Sequence, residues 1–131
     1  GRVIVFDPFI SLASWPVYGL LHHEPVAIKE AINYATELPR PRDYYAAQGN
    51  ATRLFFRDEG AGWPQGWEVF HREAFSAFHY VLSGGFSKPA MYPAGMLGAL
   101  RGVDGALSCL PRVFAARCLV GLRPGAEQVG R

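Results

Sequence analysis

The sequence predicts an α/β fold, and four stretches carry that expectation. Val3-Ile4-Val5-Phe6 is an unbroken apolar run that stops at Asp7-Pro8. Trp67-Glu68-Val69-Phe70-His71 alternates in the manner of a strand. Met96, Leu100, Val103, Leu107 and Leu110 recur at the spacing of one helical face, and Ala115–Leu122 follows as a further strand candidate.

The opening run comes first because its ends are sharp. A short continuous apolar segment bounded by turn residues reads as a strand buried on both faces, the kind found inside parallel sheets. Ligands in open α/β sheets bind outside the carboxyl ends of the strands. Asp7 therefore marks the expected rim of a site, although it serves equally well as a cap for the following turn.

After this strand, Ser14 is a good helix cap and Pro16 fits a first turn. The helix is expected to run through Val17, Tyr18, Leu20 and Leu21 to His22 or His23, where Pro25 helps stop it. Val26–Leu38 holds a second helical pattern through Ile28, Ala31, Ile32 and Ala35, and Pro39-Arg40-Pro41-Arg42-Asp43 breaks it. Tyr44–Arg57 reads as a helix weakened at Gly49 and Asn50, with Asn50 capping a shorter helix through Phe56 as the alternative. Gly60 to Gly66 is a loop by its glycine and proline content.

Phe75–Leu82 is aromatic-rich and reads as strand or extended loop, and Ser83–Pro89 as a turn-rich connection. Pro111 is expected to end the helix that carries the Met96–Leu110 stripe. Gly98, Gly102 and Gly105 each cost that helix about 1 kcal/mol relative to Ala, a cost that close packing against the sheet would explain. Arg123–Arg131 reads as a polar tail.

The bulk properties narrow the function classes. The chain has 131 residues, half of them hydrophobic, which suits one domain with a real core. A net charge of +2 without like-charge runs gives no support for nucleic-acid or membrane attraction. No apolar segment approaches the length of a membrane-spanning helix. Cys109 and Cys118 lack a Cys-x-x-Cys spacing and read as buried thiols of a reduced, cytoplasmic compartment. The four histidines show no metal-ligand spacing, and no Gly-x-Ser-x-Gly nucleophile motif is present.

Gly1 to Pro8, an apolar strand ending in an acidic residue and a proline, resembles the fifth strand of class I S-adenosylmethionine-dependent methyltransferases. Pro8-Phe9-Ile10-Ser11, the run through Tyr18 and Leu21 to His22-His23-Glu24-Pro25, and Tyr80–Ser87 are similar to a bacterial subgroup of that superfamily. The resemblance implies a partial Rossmann-like methyltransferase sheet with covering helices. Arg2–Asp7 would be strand five, Trp67–His71 strand six, and Ala115–Leu122 an antiparallel strand seven inserted between them. It implies a single partial domain over residues 1–131, the C-terminal half of the catalytic domain. The family's glycine-rich cofactor loop has no counterpart here, since no Gly-x-Gly-x-Gly stands in the sequence. The expectation is that most of the S-adenosylmethionine site belongs to a half lying upstream of Gly1, and that this chain is inactive alone.

Within that reading, His22-His23-Glu24 is the most chemical cluster. Imidazole titrates near neutrality and suits proton removal from an acceptor hydroxyl. His23 and Glu24 are the expected catalytic pair, because neighbouring helical residues point about 100° apart and only one histidine can face a cleft. The bland alternative is a helix end where histidines suit the dipole. Asp7, Tyr18, His22 and Tyr45 are the expected contacts to a small-molecule acceptor. His71 and His79 read as structural. The rival function is a non-catalytic α/β module that self-associates through an exposed sheet edge.

Overall fold

The structure, a computed structural model, describes residues 1–21, 26, 49–57, 59, 64–84 and 89–125. Most of the expected second helix, the proline break after it, the start of the Tyr44–Arg57 helix and the tail from Ala126 lie outside the described residues.

Three strands make one antiparallel sheet: β1 (Val3–Pro8), β2 (Trp67–Phe75) and β3 (Arg117–Pro124). The spatial order is β1-β3-β2. β3 runs antiparallel to both neighbours, so β1 and β2 are parallel to each other and their carboxyl ends meet at one edge, opposite Arg117. The three strands and the insertion of the last between the first two agree with the sequence reading. Both flanking limits move: β2 extends to Phe75, and β3 begins at Arg117 rather than Ala115.

The alternation of β3 decides where the core lies. Cys118, Val120 and Leu122 point to one face and are buried there with Phe9, Ala51 and Phe55. The opposite face holds Leu119 and Gly121. Gly121 sits under the ring of Phe70, which occupies a β-bulge between Val69 and His71; a Cβ at Gly121 would meet that ring at 2.6 Å. Arg117 stacks between the rings of Phe6 and Tyr80, 5.6 and 4.8 Å from their centroids.

The opening strand is not buried on both faces. Ile4 is 59% and Phe6 57% exposed, and β1 forms an edge of the sheet. Its apolar run packs Val5 toward the core and leaves the other side uncovered among the described residues. An apolar run reports hydrophobicity, and cannot report whether a second layer is there to cover it.

The helices are short. α1 (Ser14–Pro16) runs on into a wider π-type turn, Val17–Leu21. Ser14 does not cap this helix in the expected way. Its hydroxyl donates to the Phe9 carbonyl at 2.6 Å and accepts from the Ser11 amide at 2.8 Å, pinning the loop after β1. A second π-type turn, Thr52–Phe56, falls in the second half of the expected Tyr44–Arg57 helix; no side-chain bond caps its start, and residues 44–48 lie outside the described residues. Gly49 precedes it with a φ of +69°, and Ile10 packs where a Cβ would stand, so only glycine fits.

Beyond β2 come α2 (Phe78–Leu82), a 3-10 turn (Ala94–Met96), α3 (Leu97–Leu107) and α4 (Pro111–Phe114). Three expectations are corrected here. Phe78–Leu82 is helix, not strand or extended loop, because a distant carboxylate caps it. Asp104 Oδ1 accepts from the Phe78 amide at 2.9 Å and from the Ser76 hydroxyl; Oδ2 accepts from the His79 amide at 3.0 Å. The apolar stripe is only partly covered: Leu100 and Leu107 are half-buried on the face of α3 that carries Asp104, itself only 5% exposed, while Val103 and the flanking Met96 and Leu110 are exposed. The helix is oriented by this carboxylate's bonds to α2. Among the described residues Gly98, Gly102 and Gly105 have nothing within 4 Å of a would-be Cβ, so no close packing there requires them. Pro111 does end the stripe, but as the first residue of α4, where its missing N–H costs nothing.

No helix among the described residues is long and apolar enough to cross a membrane. Cys118 is buried as expected; Cys109 is exposed instead. Burial and the nearby Asp7 carboxylate push the Cys118 thiol up to about 12, which leaves it inert.

The Asp104 cap gives a pH-dependent prediction. Burial raises its pKa, but hydrogen bonds from Ser76, His79 and Phe78 outweigh that and hold it below the ordinary 3.8. A carboxylate depressed in the folded state contributes stability above 3.8, and loses it as pH falls through the folded value. Asp104→Ala should therefore cost about 2–4 kcal/mol near neutrality, by stranding the donors of Ser76, Phe78 and His79. Urea unfolding at pH 7 and at pH 3 should show that cost shrinking in acid; an equal cost at both would contradict the cap.

Candidate functional site

The carboxyl ends of β1 and β2 are held together by one residue. Ala116, fully buried, accepts the Phe9 amide at 2.9 Å and the Tyr18 hydroxyl at 2.5 Å, and donates its own amide to Phe75 at 3.0 Å. This fixes the loop Phe9–Ala13 against the sheet. The Ile10 amide donates to Thr52 Oγ1 at 2.9 Å, so the same loop is also tied to the turn Thr52–Phe56.

A cavity of about 470 Å³ opens where these pieces meet. Its apolar walls are Phe9, Leu12, Trp15 and Phe56. The Phe9 and Phe56 rings meet edge to face at 5.0 Å. Arg57 from the end of the π-type turn and Arg112 from α4 complete the lining, with Ser11 and Thr52 as its hydroxyl groups. Thr52 Oγ1 accepts from the Ile10 amide, and the Ser11 hydroxyl is bonded to Ser14. The free polarity of the cavity is cationic.

The expected site residues fall in different places. Asp7 ends β1 but does not line this cavity. It is the cross-strand partner of Cys118; burial raises its pKa above the ordinary 3.8, while the Ala51 amide and the Arg117 charge pull against that rise. Tyr18 is 1% exposed, and its hydroxyl is spent on Ala116. His22, His23, Glu24 and Tyr45 lie outside the described residues.

Sequence reasoning passed over the cavity's own lining. Phe9 and Trp15 stood in an apolar loop, and Arg57 and Arg112 stood alone in sequence. Their convergence is purely tertiary, so no spacing signals it. His79, read as structural, is held by α3: its Nδ1 lies 2.5 Å from Asp104 Oδ2, which fixes the ring. His71 lies 3.5 Å from Glu73 on the exposed part of β2. Among the described residues no group of three or more histidine, cysteine, aspartate and glutamate side chains is arranged to hold a metal ion.

Comparisons with protein-family models, with curated proteins and with solved structures find no match to this chain. The geometry must carry the functional reading by itself.

Proposed function

We propose that this chain is the C-terminal portion of a cytoplasmic S-adenosylmethionine-dependent methyltransferase acting on a small molecule, inactive without a donor-binding half. One observation supports the reading above the rest: an antiparallel last strand stands between two parallel strands, in the order β1-β3-β2. This is the arrangement that the resemblance of Gly1–Pro8 implies for strands five, seven and six. The cavity at the carboxyl end of β1 agrees with it, because α/β sheets bind ligands at that end.

In such a reaction the donor's sulfur–methyl bond breaks as the acceptor heteroatom bonds to the methyl carbon. The donor leaves as a neutral thioether, and a base takes the acceptor's proton. In this proposal His23 is that base, oriented by Glu24. They follow the stretch Ser14–Leu21 directly in sequence. Asp7, Tyr18, His22 and Tyr45 are the proposed acceptor-side residues, of which Tyr18 acts by holding the loop after β1 in place.

Calorimetric titration of S-adenosylmethionine into this chain and into the full product of its gene tests the proposal. The chain is expected to give no heat, and the full product a dissociation constant on the order of micromolar. Absence of binding by the full product would end the methyltransferase reading.

A second reading rests on a different observation. β1 is an edge strand carrying exposed Ile4 and Phe6 and no charge between Val3 and Phe6, which is an open template for pairing with another copy. Light scattering on the eluted chain separates the two. A particle of twice the 14.4 kDa chain that Phe6→Lys dissociates supports self-association; a monomer at about 100 μM, well above ordinary dimer constants, contradicts it.

A further inference from the structure

The geometry points to a binding site for a flat, apolar carboxylate in the cavity between the loop after β1, the turn Thr52–Phe56 and α4. The inference concerns this cavity alone. It holds or fails independently of methyl transfer, and its test uses no methyl donor.

Size comes first. About 470 Å³ falls within the range of small-molecule sites and exceeds what a few waters need. Shape comes next. Phe9 and Phe56 meet edge to face, and Trp15 stands at the rim, 56% exposed. Such a large indole left half in water, beside two other rings, offers a flat apolar body a place to stack.

Charge then selects the ligand. Arg57 and Arg112 reach the cavity from separate elements, the end of the π-type turn and α4. Among the described residues neither takes part in an ion pair or lies over a ring, whereas Arg53 pairs with Glu59, Arg123 with Glu68, and Arg2 and Arg117 stack on aromatics. No carboxylate is among the described residues of the lining. Arg57 and Arg112 both line this apolar space without an ion-pair partner among the described residues, and a guanidinium offers a forked pair of donors that matches a carboxylate. The neutral polar groups compete poorly, since Ser11 and Thr52 are spent on holding the loop.

The local build supports a preformed site. The loop from Phe9 is fixed by the Ser14 and Thr52 hydroxyls and by Ala116, and Gly49 packs under Ile10. A ligand would therefore meet walls that are already in position, which limits the ordering cost of binding.

Calorimetry on the whole chain with three naphthalene probes of one shape tests this: 2-naphthoate, the neutral 2-naphthalenemethanol, and 2-naphthylmethylammonium. The naphthoate is expected to bind below about 1 mM, the alcohol at least about tenfold more weakly, and the ammonium not at all; tenfold corresponds to about 1.4 kcal/mol. Both arginines are exposed, so Arg57→Glu/Arg112→Glu should keep the parent's circular dichroism and melting temperature. That variant should lose the naphthoate and gain the ammonium probe, a reversal that misfolding cannot produce. Trp15→Ala should weaken the naphthoate without changing the order of the probes. Equal affinity for the three probes, no heat from any of them, or naphthoate binding that survives the charge reversal would overturn the site.

Discussion

The structure depends on β3 being paired on both sides. Among the described residues β1 and β2 pair with no strand but β3, so every rung described for the sheet is a bond to one eight-residue segment. The same segment supplies Cys118, Val120 and Leu122 to the core, where full burial of a valine or leucine contributes about 1.5–3 kcal/mol each. The two functions of β3 are coupled. A slip of one residue would break the ladder's fit and turn the buried trio to the open face. Because β3 joins Val3 to Leu122, the sheet closes across most of the chain, and its assembly must wait for contacts distant in sequence.

From that constraint the position of the cavity follows. An antiparallel strand between two others makes those two parallel, so the loops leaving β1 and β2 emerge at the same edge. There Ala116 gathers Phe9, Tyr18 and Phe75 onto its backbone groups. The serine pair, Thr52 and Gly49 then hold the loop after β1 rigidly enough to wall a cavity. Asp104 does the corresponding work for the loop after β2 by capping α2. Polar groups thus organise the rim, and apolar ones the floor beneath it.

How much of this was legible in the sequence varies with the range of the forces involved. The strands were legible because apolar runs and alternation are local, and the resemblance of Gly1–Pro8 supplied their order. The exposure of Ile4 and Phe6 was not, since it depends on what lies across the sheet. The stripe Met96–Leu110 correctly marked a helix, but the most buried residue of that helix is Asp104, whose carboxylate satisfies donors of Ser76, Phe78 and His79 and which the apolar spacing does not signal. For the same reason α2 was missed: its cap comes from a residue 25 positions away. The cavity was illegible altogether. Its aromatic and cationic residues come from three segments far apart in sequence, which the tertiary fold brings together.

Native-state hydrogen exchange of the described strands tests the central claim most directly, since it reads the stability of each backbone bond. If β3 holds the fold, the amides of Leu119 to Leu122 should exchange only by global unfolding, with a free energy equal to that from denaturant melts. The outward amides of β1 and β2 should exchange faster. Exchange of the β3 amides through local openings, at rates like those of the edge strands, would contradict the account.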